Sequence, residues 1–294
     1  MTEGCRTLTA DGSGTDFETQ WRRIAVASAR CAPAAVAFDA GAWDPAAVAK
    51  ARAMWLARMV SEHRSTAVFA GIAAQLMAAG APLDFTAMAL SMAQDELRHT
   101  EVCADVVRAM GGVPRCEADL TLASLPTHGR VTPEERALRN VVYGSCLSEM
   151  VNSARFVDAL EEITEPVTRD ATRRLLADEV EHARFGFSYL DVMAPWLDAH
   201  RDVRPSLGRY LRRAFKTFEQ AYAGHGARVR RTDDERALGL PDPERLLVVF
   251  DQTMRGAIIP RAGAAGHRRH RGLEHAGLSG RPPRRPRRDR HRRH

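Results

Sequence analysis

One pattern, written twice, limits what this chain can fold into. Asp95-Glu96-Leu97-Arg98-His99 and Asp178-Glu179-Val180-Glu181-His182 share the form Asp-Glu-x-x-His. Each pattern's Glu follows a lone glutamate, Glu62 or Glu149, by 34 or 30 residues. In a helix, residues i and i+3 lie on one face about a turn apart, so Glu96 with His99, and Glu179 with His182, can grip the same ion. The intervals fit two antiparallel helices of about 20 to 25 residues joined by a short turn, with each ligand set near mid-helix. The chain therefore reads as two helical hairpins closing into a four-helix bundle. Two lone Glu and two Glu-x-x-His pairs, all projecting inward, form the ligand set of a di-iron or di-manganese carboxylate bundle.

Chance does not account for the pattern. With 18 Glu and 11 His in 294 residues, random placement gives on the order of 0.7 Glu-x-x-His pairs. This chain has two, and an Asp precedes both, which lowers the random expectation to roughly one in a thousand. The lone glutamates share a context as well, as Ser61-Glu62 and Ser148-Glu149. The hairpins align at offsets of 87 residues for the lone Glu and 83 for the pairs. They read as a diverged internal repeat related by a pseudo-twofold axis.

Local signals place the elements. Asp44-Pro45 is a helix start, with Asp as N-cap and Pro at the first position, and the helix runs to about Ala79, before Gly80-Ala81-Pro82. A second helix runs from near Asp84 to Gly111-Gly112. Residues 113–131, with Pro114, Pro126 and Gly129, form the long crossover that a bundle of two hairpins requires. Thr132-Pro133-Glu134-Glu135 reads as a capping box opening a third helix that ends near Glu162. The fourth spans about Pro166 to Met193 and stops before Pro195-Trp196. A fifth, Pro205 to Ala223, is amphipathic, with Arg209, Arg212, Arg213 and Lys216 on its outer face, and a sixth starts at Asp242-Pro243 and ends by Pro260.

Composition divides the chain into three. Residues 1–43 form an extension expected to be partly disordered, apart from an apolar stretch at Trp21–Val26; residues 44–260 form the helical dimetal domain; residues 261–294 form an Arg/Pro/Gly-rich tail. The net charge of +6 belongs to that tail, whose twelve Arg against two acids contribute +10 and leave the body at −4. An acidic body does not favour nucleic-acid binding except through the tail. The tail lacks helical periodicity and is expected to be disordered. It reads either as a polybasic arm or as an out-of-frame stretch of a GC-rich gene, the abrupt change of composition favouring the second. Five Cys form no Cys-x-x-Cys motif and do not pair evenly, which points to a reducing compartment and away from a zinc knuckle. No membrane span or signal peptide is read, so a cytoplasmic protein is expected.

Four carboxylates and two imidazoles balance two divalent cations in a buried site, and an oxygen-rich donor set suits iron or manganese. Glu62, Glu96 and His99 are assigned to one metal and Glu149, Glu179 and His182 to the other, with Glu96 and Glu179 as candidate bridges. One imidazole per metal leaves open positions, so such a site is able to bind and reduce dioxygen. Asp95 and Asp178 are expected to orient the ligating histidines, because such a His commonly gives its other N–H to a carboxylate. His63 lies about 100° around the helix from Glu62 and reads as flanking. Glu101 and Glu181 fall off the ligand faces. Cys103 and Cys146 are one turn from ligands and read chiefly as small core residues, and Tyr143 and Tyr189 as core tyrosines before redox-active ones.

At these residues the chain resembles the ferritin-like superfamily, over about 150 residues from Ala51 to Met193. Within it, the repeated Glu and Asp-Glu-x-x-His spacing resembles most closely the p-aminobenzoate N-oxygenase group. Asp95-Glu96-Leu97-Arg98-His99 is also similar to the Asp-Glu-x-Arg-His signature of bacterial multicomponent monooxygenases. The resemblance implies an all-α, ferritin-like bundle of two hairpins with additional C-terminal helices. It also implies two Fe ions, with Mn or a mixed Mn/Fe pair as variants, and a pairing in which each Asp holds the His of the opposite hairpin: Asp95 with His182 and Asp178 with His99. The N-oxygenases carry an additional His ligand one turn before the second Glu-x-x-His, and here that position is Leu175. The expected function is a dioxygen-activating non-haem diiron oxidoreductase that hydroxylates, N-oxygenates or desaturates a small organic substrate, served by an electron donor. The alternatives are a ferroxidase or other iron-handling protein, or a peroxide-consuming enzyme. A monomer or homodimer fits the two extra helices better than a storage shell.

Overall fold

The computed structural model describes residues 5–9, 18–20, 37–119, 124–223 and 230–264. The stretch Trp21–Val26, Cys31 and the tail beyond residue 264 lie outside the described residues. The fold is an all-α helical bundle. Its first hairpin pairs α1 (Pro45–Ala78) with α2 (Leu83–Ala109). The second joins a broken rod, α3 (Pro133–Val141), a π-helical stretch (Val142–Glu149) and α4 (Met150–Glu162), to α5 (Pro166–Ala199). Then follow α6 (Arg204–Ala223), the short α7 (Asp233–Ala237), α8 (Pro243–Thr253), a second π-helical stretch (Met254–Ile258) and α9 (Ile259–Ala264).

The expected starts and stops of the first hairpin hold. The Asp44 side chain accepts from the backbone N–H of Ala46, with Pro45 at the first helical position. Gly80 (φ 63°) and Gly111 (φ 72°) close α1 and α2 in the left-handed region, which suits a residue without a Cβ. In both cases the next residue returns a backbone N–H to the helix, Ala81 to Leu76 and Gly112 to Val107. No helix among the described residues is long and apolar enough to cross a membrane.

Four boundaries differ from the sequence-based expectation. The Thr132 hydroxyl caps Glu135 N–H as expected, but the Glu135 carboxylate does not return to complete the box; it accepts from Arg139 and Ser206 instead. The third helix is not uniform, since eight of its residues adopt π geometry. Helix α5 continues through Pro195 to Ala199. An internal proline removes one helical hydrogen bond and crowds the carbonyl four residues back, at about 3 kcal/mol, and the packing of Trp196 and Leu197 beyond it against the core offsets that cost. Likewise the last helical rod passes Pro260 to Ala264, with the Arg261 guanidinium 5.0 Å from the Phe187 ring centre, so the helical domain extends beyond residue 260. Two further features were not expected from the sequence: α7, whose Thr232 and Glu235 form a capping box closed in both directions, and an antiparallel ribbon of β1 (Cys5–Thr9) with β2 (Arg115–Asp119) in the crossover, which carries no local signal.

The buried residues of α1 recur at helical spacing: Ala51, Trp55, Met59, Glu62, Phe69, Ile72 and Leu76. The glutamate in that apolar stripe is the anomaly, and every helix of the bundle repeats it. One apolar cluster, built around Trp55, Met59, Cys103, Phe156 and Leu175, fills one end of the bundle. Another, around Phe69, Ile72, Leu138, Phe185 and Tyr189, fills the other. Each such large side chain contributes roughly 1.5–3 kcal/mol by leaving water. Between the two clusters runs a belt of buried acids and imidazoles.

Candidate metal centre

The two hairpins bring all six candidate ligands into that belt. Glu62, Glu96, His99, Glu149, Glu179 and His182 are all buried, the most exposed being Glu62 at 8%. They form two overlapping groups, Glu62 with Glu96, His99 and Glu179, and Glu96 with Glu149, Glu179 and His182. Within each group the donor atoms lie within 4.8 Å of one another. Glu96 and Glu179 belong to both, the arrangement expected of bridging carboxylates.

The imidazoles are oriented by the opposite hairpin. His99 Nε2 lies 3.3 Å from Asp178 Oδ2, and His182 Nε2 lies 3.2 Å from Asp95 Oδ2. Each Nδ1 therefore faces the centre. His182 Nδ1 is 3.3 Å from Glu96 Oε1 and 3.3 Å from Glu179 Oε2; His99 Nδ1 is 3.6 Å from Glu96 Oε2 and 3.8 Å from Glu179 Oε1. None of these approaches has hydrogen-bond geometry. Both Nδ1 atoms, both Glu96 oxygens and Glu179 Oε2 are buried without a hydrogen-bond partner. Leaving such groups unsatisfied costs about 1–3 kcal/mol each, more when charged. Divalent cations between these atoms would satisfy them all, so the donor set fits a metal pair.

Protonation tells the same story. Burial pushes the Glu62 carboxyl up to about 7, reinforced by Glu96 and Glu179 and opposed by His99. Burial, with the charge of Glu179 beside it, raises Glu149 well above the usual range. Burial also works against a charged Glu96, but the two imidazoliums outweigh it and hold Glu96 at about 2. Burial alone would lower both histidines; instead Asp178, Glu62 and Glu96 raise His99, and Glu179 with Glu96 raises His182 to about 10. The metal-free cluster thus stays near neutral by holding protons, and a cation must displace them. Because the folded His182 value is raised, its proton is fully present at neutral pH and is lost only as pH rises through it. Metal uptake should accordingly release protons, and apparent affinity should rise with pH by about tenfold per unit for each proton displaced. Affinity that is flat between pH 6 and pH 8 would contradict this.

Two charged residues near the cluster carry no ligand signature in the sequence. Arg98 forms an ion pair with Asp95 and lies 3.8 Å from Asp178 Oδ2, so one guanidinium serves both histidine-orienting carboxylates. Arg58 stacks between Trp55 and Phe156, with its Cζ 4.8 and 4.6 Å from their ring centres, and its charge reaches Glu62 and Glu179. Arg98 stands within the Asp-Glu-x-Arg-His pattern of the first hairpin, whereas only an offset of four residues from Glu62 could have drawn attention to Arg58. His63 is half-buried and outside both groups, and Glu101 and Glu181 are outside as well. Cys103 is buried beside the cluster, where burial and Glu62 push its thiol up. Cys146 instead borders an apolar cavity between α5 and α6, and Tyr189 packs on Phe85. Leu175 is fully buried in the apolar cluster around Trp55.

Asp95→Asn should leave the fold intact and weaken metal affinity about 10- to 100-fold, the usual cost of losing a carboxylate that orients a ligating imidazole. Chelator competition measures the change and circular dichroism checks the fold; parental affinity would show that the 3.2 Å contact to His182 does not matter. No family model matches the chain, and no curated protein or solved structure is significantly similar to it.

Proposed function

We propose that this protein is a non-haem diiron oxidoreductase that uses dioxygen to oxidise a small organic substrate. The observation that carries the reading is the pair of four-residue groups that share Glu96 and Glu179. Two iron ions, or manganese in either position, held by these groups would supply the one-electron steps needed to reduce dioxygen. The protein's own contribution is orientation and shielding. Asp178 and Asp95 engage Nε2 of His99 and His182, so each Nδ1 is directed inward and can ligate once a cation displaces its proton. The apolar clusters above and below the belt exclude water and strengthen every charge interaction inside it.

A cavity of about 660 Å³ beside Glu149 favours an organic substrate over iron storage or peroxide disposal, neither of which needs a chamber that large. Anaerobic titration with ferrous iron should saturate at about two ions per chain, since six ligands converge from four helices. Admitting dioxygen to that form should consume it and produce new near-ultraviolet absorption. A loaded protein inert to both dioxygen and peroxide would overturn the oxidoreductase reading, and gas evolution from peroxide would redirect it to peroxide disposal.

A further inference from the structure

The chamber beside Glu149 has a composition that limits what can enter it. Its walls come from α1 (Ser65, Val68), the crossover around Leu125 and Pro126, the π-helical stretch and α6. Among the six cluster residues only Glu149 borders it. The π geometry accounts for that. Hydrogen bonds closing at i→i+5 bring residues five apart close to one face, so Gly144 and Glu149 share the chamber wall with Tyr143 and Ser148. In an uninterrupted α-helix, residues five apart would diverge by about 140°.

Several polar groups of the wall are already engaged. Asn140 takes up His128 Nε2 at 2.8 Å, Gln75 Oε1 at 2.8 Å and the Pro126 carbonyl at 3.1 Å. Arg139 is neutralised by Glu135 and lies 5.2 Å over the Tyr210 ring, whose hydroxyl donates to the Arg139 carbonyl. Arg213 differs. It is exposed on α6, borders the same chamber, and has no ion-pair partner among the described residues. Glu149, by contrast, is 4% exposed. The chamber therefore runs from a cationic mouth at Arg213 to a floor at the buried Glu149, between apolar and aromatic walls at Val68, Leu125, Pro126 and Tyr143.

Size sets a second limit. A cavity of roughly 150 Å³ is enough to hold benzene, and this one measures about 660 Å³, within the range of about 300–1,000 Å³ typical of sites for drug-sized molecules. A single-ring compound would leave most of the space to water.

We propose that this chamber selects an organic anion larger than one aromatic ring, its acidic group held by Arg213 at the mouth and its uncharged end presented at Glu149. The assignment rests on the dimetal reading for what happens at the floor, but binding itself needs no metal. The full chain, metal-free and iron-loaded, is titrated by calorimetry with biphenyl-4-carboxylate, its uncharged carboxamide and benzoate. The biphenyl acid should bind up to about fivefold tighter than the amide through its ion pair with the exposed Arg213, and tighter than benzoate through burial of the second ring. Arg213→Gln should erase the advantage of the acid over the amide while leaving amide binding unchanged. Equal affinity for acid and amide, or an Arg213→Gln variant that still prefers the acid, would overturn the proposal. Binding failure in a protein that loads two ions and consumes dioxygen defeats the chamber assignment alone, whereas binding in a protein that takes up no metal defeats the oxidoreductase reading alone.

Discussion

Alanine at Glu96 or Glu179 is expected to remove both metal ions, whereas alanine at Glu62 should remove only one. Glu96 and Glu179 are members of both four-residue groups, while Glu62 and Glu149 each serve one. If the groups hold two cations as proposed, losing a shared carboxylate would take a ligand from each and remove negative charge that offsets the repulsion between them. Metal content after gel filtration should fall from about two ions per chain to near zero for the shared positions, and to about one for Glu62→Ala. Equal losses at all three positions would mean that the metals do not share ligands. Retained helicity in the far ultraviolet separates loss of metal from loss of fold.

The second large effect is expected at Gly186 of α5, where the helix meets the π-helical stretch. A Cβ there would lie 2.6 Å from Ser145 Cβ, 2.8 Å from Cys146 Sγ and 2.9 Å from the Cys146 backbone nitrogen. One of those atoms is backbone, so a rotamer change cannot relieve the clash. Gly186→Ala gains about 1 kcal/mol of helix propensity but forces the two rods apart, and overpacking of this kind costs about 1–3 kcal/mol or more. A net loss of about 2 kcal/mol, seen as a fall in Tm of roughly 4–8 °C, is expected. Glu149 sits at the end of the displaced stretch, so metal content should fall too. Gly208→Ala on α6 is the control. Its Cβ would meet only Arg212 Nη1 at 3.8 Å, and the substitution should be neutral or stabilise by up to about 1 kcal/mol. Identical behaviour of the two variants would show that the close contact does not constrain the rods.

The cluster was legible in the sequence because it depends on helix periodicity alone. Glu96 with His99, and Glu179 with His182, share a face in any α-helix, and an acid inside an apolar stripe is too costly to bury unless a cation or proton neutralises it. The π-helical stretch was not legible. No propensity marks Val142–Glu149 as π-helical, and its close approach to α5 at Gly186 is a tertiary contact. Pro195 and Pro260 misled because the penalty for an internal proline is local, while the packing of Trp196 and Arg261 beyond them is tertiary. The ribbon of β1 and β2 pairs segments more than a hundred residues apart, a contact that no local pattern encodes. Arg98 was visible within a motif, but its double engagement depends on Asp178 arriving from the other hairpin.

That double engagement makes the two halves of the bundle unequal. The repeat aligns Arg98 with Glu181, which sits at the surface beside Arg184 at 3.7 Å. One guanidinium lies against both Asp95 and Asp178, and a second at the position of Glu181 would bring another cation to the same pair of carboxylates. A bundle assembled from two copies of the first hairpin would concentrate two cations where the fold accommodates one. Two copies of the second would leave a pair of facing carboxylates with no cation between them. The halves are therefore complementary parts: exchange of either hairpin for a duplicate of the other would keep the ligand pattern but upset the charge balance around Asp95 and Asp178.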